Sequence, residues 1–170
     1  MTTTLQKPVQ VGFAFTGSFC TFSQVISQLE AVAQHPNWEV IPIMSPNAYS
    51  IDTRFGLAKD FRAQIQKICN HEIIHTIFDA EPIGPKKLLD VLVVAPCTGN
   101  TLGKLANGIY DTSVTLAVKA HLRNARPVVI AVSTNDALAS SAKNIGTLFN
   151  NRHIFFVPMA QDNAQSKPTS

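Results

Sequence analysis

The stretch of sequence that most limits the possible folds is the run LDVLVVA at residues 89–95. Apart from Asp90, every side chain in it is apolar, so a strand formed here has to be buried on both faces. Strands buried on both faces are typical of parallel sheets that carry helices on each side. The run therefore predicts a central strand of an α/β sheet.

Strand and helix patterns alternate along the rest of the chain. Apolar runs predict further strands at residues 11–15, 39–44, 127–132 and 153–157, and a short one at 73–77. Apolar residues three or four positions apart predict helices at residues 22–33, 54–69, 101–107, 113–123 and 136–149. This alternation predicts a doubly wound, mostly parallel, Rossmann-like (flavodoxin-like) α/β sheet in three layers. Pro42 favours an edge position for its strand.

Length and composition narrow the classes of function. A chain of 170 residues suffices for one well-buried core, so we expect one domain at residues 1–160 and a mobile polar tail at 161–170. The net charge of +3 and the scattered basic residues favour neither a nucleic-acid nor a membrane partner. The N-terminus lacks a signal-peptide pattern and no apolar stretch is long enough to span a bilayer, which predicts a cytoplasmic protein.

The cysteines and histidines predict no special site of their own. Three widely spaced cysteines, Cys20, Cys69 and Cys97, indicate a reducing compartment rather than a disulfide framework. Neither they nor the five histidines have metal-ligand spacing, so we expect no metal site. Cys20 and Cys97 follow strand ends, where a helix N-terminus can lower the pKa of a thiol, but small buried cysteines are the more common case.

Polar residues follow the first predicted strand, as a ligand site in this fold requires. In doubly wound sheets, ligands bind at the carboxyl ends of the strands, near a topological switch point. Gly17 permits close approach of the backbone, and the helix that follows Ser18 directs N–H groups at an anion such as phosphate. A tight turn with a serine cap is an equally good interpretation of these residues.

The loop after the central strand, residues 96–101, is denser in small polar side chains. Thr98, Asn100 and Thr101 offer hydrogen bonds to a phosphate, a ribityl chain or a ring, and Gly99 permits close approach. The alternative is a plain turn in which Asn100 caps the next helix. Since a cap needs only one such residue, we favour a dedicated binding loop.

The other two strand ends also carry polar residues. Ser133 and Asn135 follow one of them and are candidates for ligand contact, while Asp136 is predicted to cap the next helix. Ser45 follows the other. Further along, Arg54 offers a guanidinium that can hold a carboxylate through two parallel hydrogen bonds. A surface arginine paired with a nearby aspartate is the alternative interpretation.

The segment PCTGNT and the following LGKLANGIYD, residues 96–111, resemble the PASANT loop and the glycine–aspartate segment of the flavin-dependent cysteine decarboxylase family. The resemblance implies a Rossmann-like domain that binds FMN, with phosphate contacts from Gly17, Ser18 and Ser45. Together with the polar loops described above, the predicted cofactor-binding set is Gly17, Ser18, Ser45, Pro96, Thr98, Gly99, Asn100, Thr101, Ser133 and Asn135.

A closer resemblance extends over about residues 11–168. The segments GFAFTGSFCTF, DTRFG, AEPIGPKKLLD, APCTGNTLGKLANGIYDT, KAHLRNARPVV and STND are similar to the dipicolinate synthase B-subunit family, within the flavoprotein superfamily. This implies a homo-oligomeric sporulation protein in the mother-cell cytoplasm, paired with the A subunit of the synthase, which resembles nicotinamide-nucleotide dehydrogenases. Together the two proteins would oxidise a dihydrodipicolinate-type precursor, a cyclic dicarboxylate, to dipicolinate, with NADP reached through the partner.

The sequence departs from the decarboxylases at two places. Those enzymes carry a catalytic histidine shortly before the central strand, whereas residues 79–90 here contain none. Their Pro-x-Met-Asn segment, which grips the substrate, is replaced at residues 132–136 by VSTND, in which only Asn135 is retained. Decarboxylation of a cysteine substrate is therefore disfavoured.

The preferred hypothesis is an oxidoreductase subunit. Its predicted catalytic residues are Arg54, as a carboxylate clamp, and Asn100 and Asp111, from their loop positions, with Lys86 as a weaker clamp candidate. Two alternatives remain open. One is a non-catalytic subunit that stabilises the nicotinamide-dependent partner, and the other is a stand-alone FMN-dependent decarboxylase or prenyltransferase-like enzyme.

Overall fold

A computed structural model describes residues 7–170, so the polar N-terminal residues 1–6 of the predicted domain lie outside the described residues. The described chain contains one five-stranded parallel sheet in the order β2-β1-β3-β4-β5. Its strands are β1 (Val9–Phe15), β2 (Trp38–Met44), β3 (Val91–Cys97), β4 (Val128–Val132) and β5 (Ile154–Phe156). The strand order reverses between β1 and β3, which is the topological switch point. The predicted doubly wound fold is confirmed.

Helices connect the strands, and most lie where the apolar spacing predicts them. They are α1 (Phe22–Ala33), α2 (Pro46–Ser50), α3 (Ala58–Cys69), α4 (Ile77–Ala80), α5 (Gly99–Ala106), α6 (Ser113–Leu122) and α7 (Ala142–Phe149). In α1, for example, the buried residues Phe22, Ile26 and Leu29 recur at helical spacing and form one face. Within residues 7–170, the structure has no helix of the length and apolarity that a membrane crossing needs.

The sheet separates two hydrophobic cores, which gives the predicted three layers. Along β1, Phe13 and Phe15 pack on one face with α1 and α3, while Ala14 packs on the other. The second core also contains apolar residues of α5, α6 and α7. Successive side chains of a strand point to opposite faces, so the buried part of β1, residues 11–15, has to be apolar. With both faces covered by helices, only the ends of the central strands are left for polar residues.

The predicted strand at residues 73–77 is wrong. The chain makes a single parallel bridge there: Met44 N–H donates to Ile74 O (2.8 Å) and Ile74 N–H donates to Pro42 O (2.9 Å). Thr76 then caps α4 by accepting a hydrogen bond from Asp79 N–H (3.1 Å), so the chain turns away after one residue of pairing. The edge position predicted from Pro42 is confirmed, because β2 is an outer strand of the sheet.

Two helix starts differ from the predictions. The helix predicted from residue 54 begins at residue 58, because residues 53–56 close a tight turn through mutual backbone hydrogen bonds of 3.0 and 3.1 Å. The helix predicted from Asp136 begins at residue 142. Asp136 is therefore not its cap. Its Oδ1 accepts hydrogen bonds from Thr134 Oγ1 (2.5 Å) and Ser141 Oγ (2.7 Å), within turns that precede the helix.

Substitution of Gly12 by alanine tests how tightly β1 is packed. A Cβ at Gly12 would lie 2.5 Å from Leu89 Cδ1 and 2.9 Å from Leu92 Cδ1. We expect Gly12→Ala to lower the free energy of unfolding by about 1–3 kcal/mol, because the core has no room for the added methyl group. Urea denaturation measures the change.

The matched control is Gly146→Ala in α7, where an added Cβ meets nothing within 4 Å. This substitution should raise the free energy of unfolding by about 0.5–1 kcal/mol, because glycine is a poor residue for the interior of a helix. A Gly12→Ala protein as stable as wild type would contradict the tight packing of β1.

Candidate functional site

Two adjoining cavities open at the carboxyl ends of the strands. The larger cavity, of about 1030 Å³, is bordered by the loops after β1, β3 and β4 and by the C-terminal segment. The smaller cavity, of about 280 Å³, is bordered by the loops after β1, β2 and β3. Gly17, Thr98 and Asn100 line both cavities, so the two meet at the β1/β3 switch point. This is the position expected for a ligand site in this fold.

Thr16 joins the loops that follow β1 and β3. Its side chain is buried, and its hydroxyl donates to Pro96 O (2.7 Å) and accepts from Thr98 N–H (3.0 Å). The Thr16 N–H also donates to Pro96 O (3.2 Å), which follows a cis peptide bond at Ala95–Pro96. One buried side chain thus fixes the start of the loop at residues 96–101. The binding residues predicted from the sequence did not include Thr16, although its position directly after β1 could have marked it as a candidate.

Thr98, rather than Asn100, caps α5. Thr98 Oγ1 accepts from Thr101 N–H (3.2 Å) and donates to Thr101 Oγ1 (3.0 Å). The Asn100 side chain is therefore not required as a cap, and Asn100 is exposed at the junction of the two cavities. This arrangement favours the interpretation of residues 96–101 as a binding loop rather than a plain capped turn.

Ser45 and Thr101 place two buried hydroxyls on the wall of the smaller cavity, with exposed fractions of only 8% and 6%. Ser45 Oγ accepts from Ala48 N–H (3.4 Å), and Thr101 Oγ1 accepts from Thr98. Among the hydrogen bonds within residues 7–170, both hydroxyls act only as acceptors. Each therefore keeps one proton for an acceptor in the cavity, since a hydroxyl can donate as well as accept.

A chain of hydroxyls joins the loops after β1 and β4 along the larger cavity. Ser18 Oγ lies 2.7 Å from Ser133 Oγ, which lies 3.2 Å from Thr21 Oγ1. Thr21 donates its one hydroxyl proton to Ser18 O (2.9 Å), so Ser133 has to donate to Thr21 and Ser18 to Ser133. The order is fixed, and a ligand that accepts from Ser18 has to replace Ser133 as the acceptor.

Gly99 brings the loops after β3 and β4 into direct contact. A Cβ at Gly99 would lie 2.7 Å from Ser141 Oγ, 2.8 Å from Thr134 Oγ1 and 3.1 Å from Asp136 Oδ1. The space that a side chain would occupy is thus filled by the neighbouring loop. The missing side chain at Gly99 lets the loops after β3 and β4 approach each other, whereas from the sequence we expected it to let a ligand approach.

The two cavities differ in charge. Within the described chain, the smaller cavity is lined by one charged residue, Lys104, whose Nζ pairs with Asp111 at 2.7 and 2.9 Å. The larger cavity is lined by the carboxylates of Asp136 and Asp162 and by Lys167. Hydrogen bonds from Thr134, and then from Ser141, lower the pKa of Asp136, so it is an anion on that wall. A phosphate is thus favoured in the smaller cavity and opposed along the Asp136 wall of the larger one.

The remaining predicted residues divide between the cavities and the surface. Ser18, Ser133 and Asn135 line the larger cavity. Pro96 is buried in β3, where its carbonyl holds Thr16. Besides Pro96, three predicted residues line neither cavity. Arg54 lies on an exposed turn with its guanidinium 4.9 Å from the Phe55 ring centroid. Asp111 pairs with Lys104, and Lys86 precedes the amino end of β3.

The cysteines are placed differently from one another. Cys97 is fully buried in β3, and burial raises the pKa of its thiol. It is therefore a packing residue rather than a nucleophile. Cys20 is exposed and lines the larger cavity, with its Sγ 3.9 Å from Ser18 Oγ. Within residues 7–170, no group of three His, Cys, Asp or Glu side chains is placed to hold a metal ion.

The C-terminal segment, predicted to be a mobile tail, contributes a wall of the larger cavity. Thr169 Oγ1 donates to Asn135 O (2.8 Å), and Leu138 N–H donates to Thr169 O (3.0 Å). Asp162 and Lys167 from this segment line the cavity and were missed in the sequence. No local pattern marks them, because the contact depends on how the segment folds back. Its mobility stays a prediction.

Comparisons with known proteins show several relatives. A flavoprotein family model matches residues 2–168. The B subunit of dipicolinate synthase from Bacillus subtilis (strain 168) is 43% identical over 164 residues, which is 96% of this chain and 82% of the relative. The crystal structure of the dipicolinate synthase B subunit from Bacillus halodurans C matches with a TM-score of 0.85 at 40% identity, over 95% of this chain and 82% of that chain. The crystal structure of Burkholderia xenovorans DmrB in complex with FMN has a TM-score of 0.73 at 18% identity over 91% of each chain, a likeness of fold alone.

Thr16→Val tests whether one hydroxyl holds the loops after β1 and β3 together. Valine keeps the shape but removes both side-chain hydrogen bonds, so Thr98 N–H loses its partner and Pro96 O keeps only the bond from Thr16 N–H. We expect a loss of about 1–3 kcal/mol in unfolding free energy. The Thr98 amide should also exchange faster with solvent, as measured by NMR. Thr147→Val, at an exposed hydroxyl in α7, is the control and should leave both quantities nearly unchanged.

Asp136 predicts a pH dependence of stability. Because its pKa is lower in the folded protein than the ordinary value near 4, the ionised form stabilises the fold above about pH 4, and this contribution is lost as the pH falls through the folded pKa. The stability difference between wild type and Asp136→Asn should therefore shrink between pH 6 and pH 3, as measured by urea denaturation. A difference that is constant over this range would contradict the assignment.

Proposed function

The chain belongs to the flavoprotein family, and on that premise we propose that it is the B subunit of a dipicolinate-forming oxidoreductase. In this proposal it works in the mother-cell cytoplasm of a sporulating bacterium, as a homo-oligomer. It binds FMN and contributes to the oxidation of a dihydrodipicolinate-type precursor. The extended identity to the B subunit of dipicolinate synthase supports the activity, and the chemistry of the smaller cavity supports the cofactor.

One observation carries the cofactor assignment: two buried hydroxyls with protons to donate lie on the wall of a cavity that also contains a lysine. Ser45 and Thr101 supply the hydroxyls, and Lys104 supplies the positive charge. Phosphate oxygens accept hydrogen bonds strongly and carry negative charge, so these residues fit the phosphate of FMN. Asp111 holds the Lys104 ammonium in place through two hydrogen bonds.

The rest of the cofactor fits the junction of the cavities. Gly17, Thr98 and Asn100 line both cavities and would contact a flavin whose phosphate occupied the smaller one. When bound, FMN supplies an acceptor for hydride at its ring. Asn100, exposed at the junction, is positioned to orient the ring by hydrogen bonding. Ser18 and Ser133, in the hydroxyl chain, lie where a ring or substrate would contact them.

The larger cavity suits the substrate. Aromatisation of a dihydropyridine removes one hydride and one proton, so the protein has to orient the ring and exclude competing reactions. A volume of about 1030 Å³ accommodates a small cyclic dicarboxylate beside a flavin ring. In the proposal, electrons pass onward to a nicotinamide nucleotide held by the A subunit of the synthase.

Titration of the purified protein with FMN, followed by flavin fluorescence and calorimetry, tests the cofactor site. We expect saturable binding that Asn100→Ala weakens about tenfold, by removal of a polar contact at the cavity junction. Gln64→Ala, exposed on α3 and outside both cavity walls, is the matched control and should bind FMN like wild type.

Riboflavin separates the phosphate contacts from the ring contacts. Lys104→Gln should weaken FMN about tenfold and leave riboflavin unchanged, because only FMN carries the charge that the ammonium binds. Equal effects on the two ligands would contradict the placement of the phosphate. Absence of FMN binding, both alone and with the dehydrogenase-like partner present, would remove the flavin and favour a non-catalytic subunit that stabilises its partner.

A further inference from the structure

The C-terminal strap, residues 158–170, forms one wall of the larger cavity. Its last residues are fastened to the loop after β4 by the two hydrogen bonds that Thr169 makes. Within the strap, Lys167 N–H donates to Asn163 O (2.8 Å), and Asn163 Oδ1 accepts from Gln165 N–H (3.0 Å) and Ser166 N–H (2.8 Å). These bonds close a compact turn that presents Lys167 to the cavity.

Lys167 is the one cation among the described residues that line this cavity. The two basic residues proposed from the sequence as carboxylate clamps, Arg54 and Lys86, lie outside both cavity walls. If an anionic ligand occupies the larger cavity, the described chain therefore offers it one positive charge.

The present partner of Lys167 is easily replaced. Its ammonium pairs with Asp162 of the same strap, and both side chains are more than half exposed, at 58% and 55%. Pairs this exposed are held weakly, since water screens them. A ligand carboxylate that enters the cavity can take the place of Asp162, whose own carboxylate then returns to solvent.

The loop after β4, to which the strap is fastened, adds a second carboxylate to the cavity lining. Asp136 is an anion already satisfied by two hydroxyls, so it repels a carboxylate without competing for Lys167. Neutral polar side chains that accept or donate also line this cavity, among them Ser18, Ser133 and Asn144. They are suited to a second carboxylate or a ring nitrogen, which a single lysine cannot hold.

We propose that Lys167 is the carboxylate-binding residue of the larger cavity and that a ligand carboxylate binds by exchange with Asp162. The nature of the ligand, a cyclic dicarboxylate, rests on the proposed function. The strap then determines specificity for the acid, while the smaller cavity holds the cofactor phosphate.

Two substitutions that break the same ion pair from opposite ends test the exchange. Calorimetry would measure binding of pyridine-2,6-dicarboxylate to the full chain, loaded with FMN, in metal-free buffer. Lys167→Gln should weaken binding about tenfold, because the charge-assisted contact is lost. Asp162→Asn should strengthen it about two- to fivefold, because the internal competitor is removed. Lys143→Gln, exposed on α7 and outside the cavity wall, is the control.

The direction in which each substitution changes the affinity for the dicarboxylate decides whether the exchange occurs. If both variants weaken binding equally, the ion pair only shapes the strap and the exchange is overturned. If Lys167→Gln binds like wild type, the inference fails while the proposed function stands. If wild type binds FMN but no dicarboxylate, the inference and the substrate assignment fail together. The uncharged pyridine-2,6-dicarboxamide should bind wild type and Lys167→Gln equally.

Discussion

Burial of the central strands on both faces determines where this protein can place polar chemistry. β1 and β3 are covered by two separate cores, so polar side chains are largely excluded from their length. The polar side chains follow each strand instead, and the parallel arrangement brings these ends to one edge of the sheet. The hydroxyl of Thr16 then joins the loops after β1 and β3, because it donates to Pro96 O and accepts from Thr98 N–H. The position of the loop at residues 96–101 thus depends on the Thr16 side chain at the end of β1.

Hydroxyl groups, rather than charges, make up most of the site. They hold loops together in ordered chains such as Ser18, Ser133 and Thr21, and two of them keep a proton for a ligand. The cations are few, and each cavity is lined by one of them: Lys104 in the smaller cavity and Lys167 in the larger. Small neutral donors suit the proposed cofactor, whose phosphate would be held at one end and whose ring would be oriented at the other.

The sequence was sufficient for the parts of the structure that depend on local pattern. Apolar runs and helical spacing predicted the five strands and most helices, and polar residues after strands predicted the loops that border the cavities. It was insufficient where distant segments meet. The segment around Ile74 looks like a strand but has only one residue of pairing, and Asp136 looks like a cap but binds hydroxyls of its own turn. Lys167 reaches the cavity only because the chain folds back onto residues 135–138.

The shared lining of the two cavities has a consequence for how such a protein diversifies. Gly17, Thr98 and Asn100 line both cavities, so a substitution at any of them alters both cavities at once. The outer walls are each exposed to one cavity: Ser45 and Lys104 on one side, the strap on the other. In the proposed assignment, substrate preference would change through the loop after β4 and the strap, while the residues that hold the phosphate stay unchanged. The residues that line both cavities are thus more constrained than the residues that line only one.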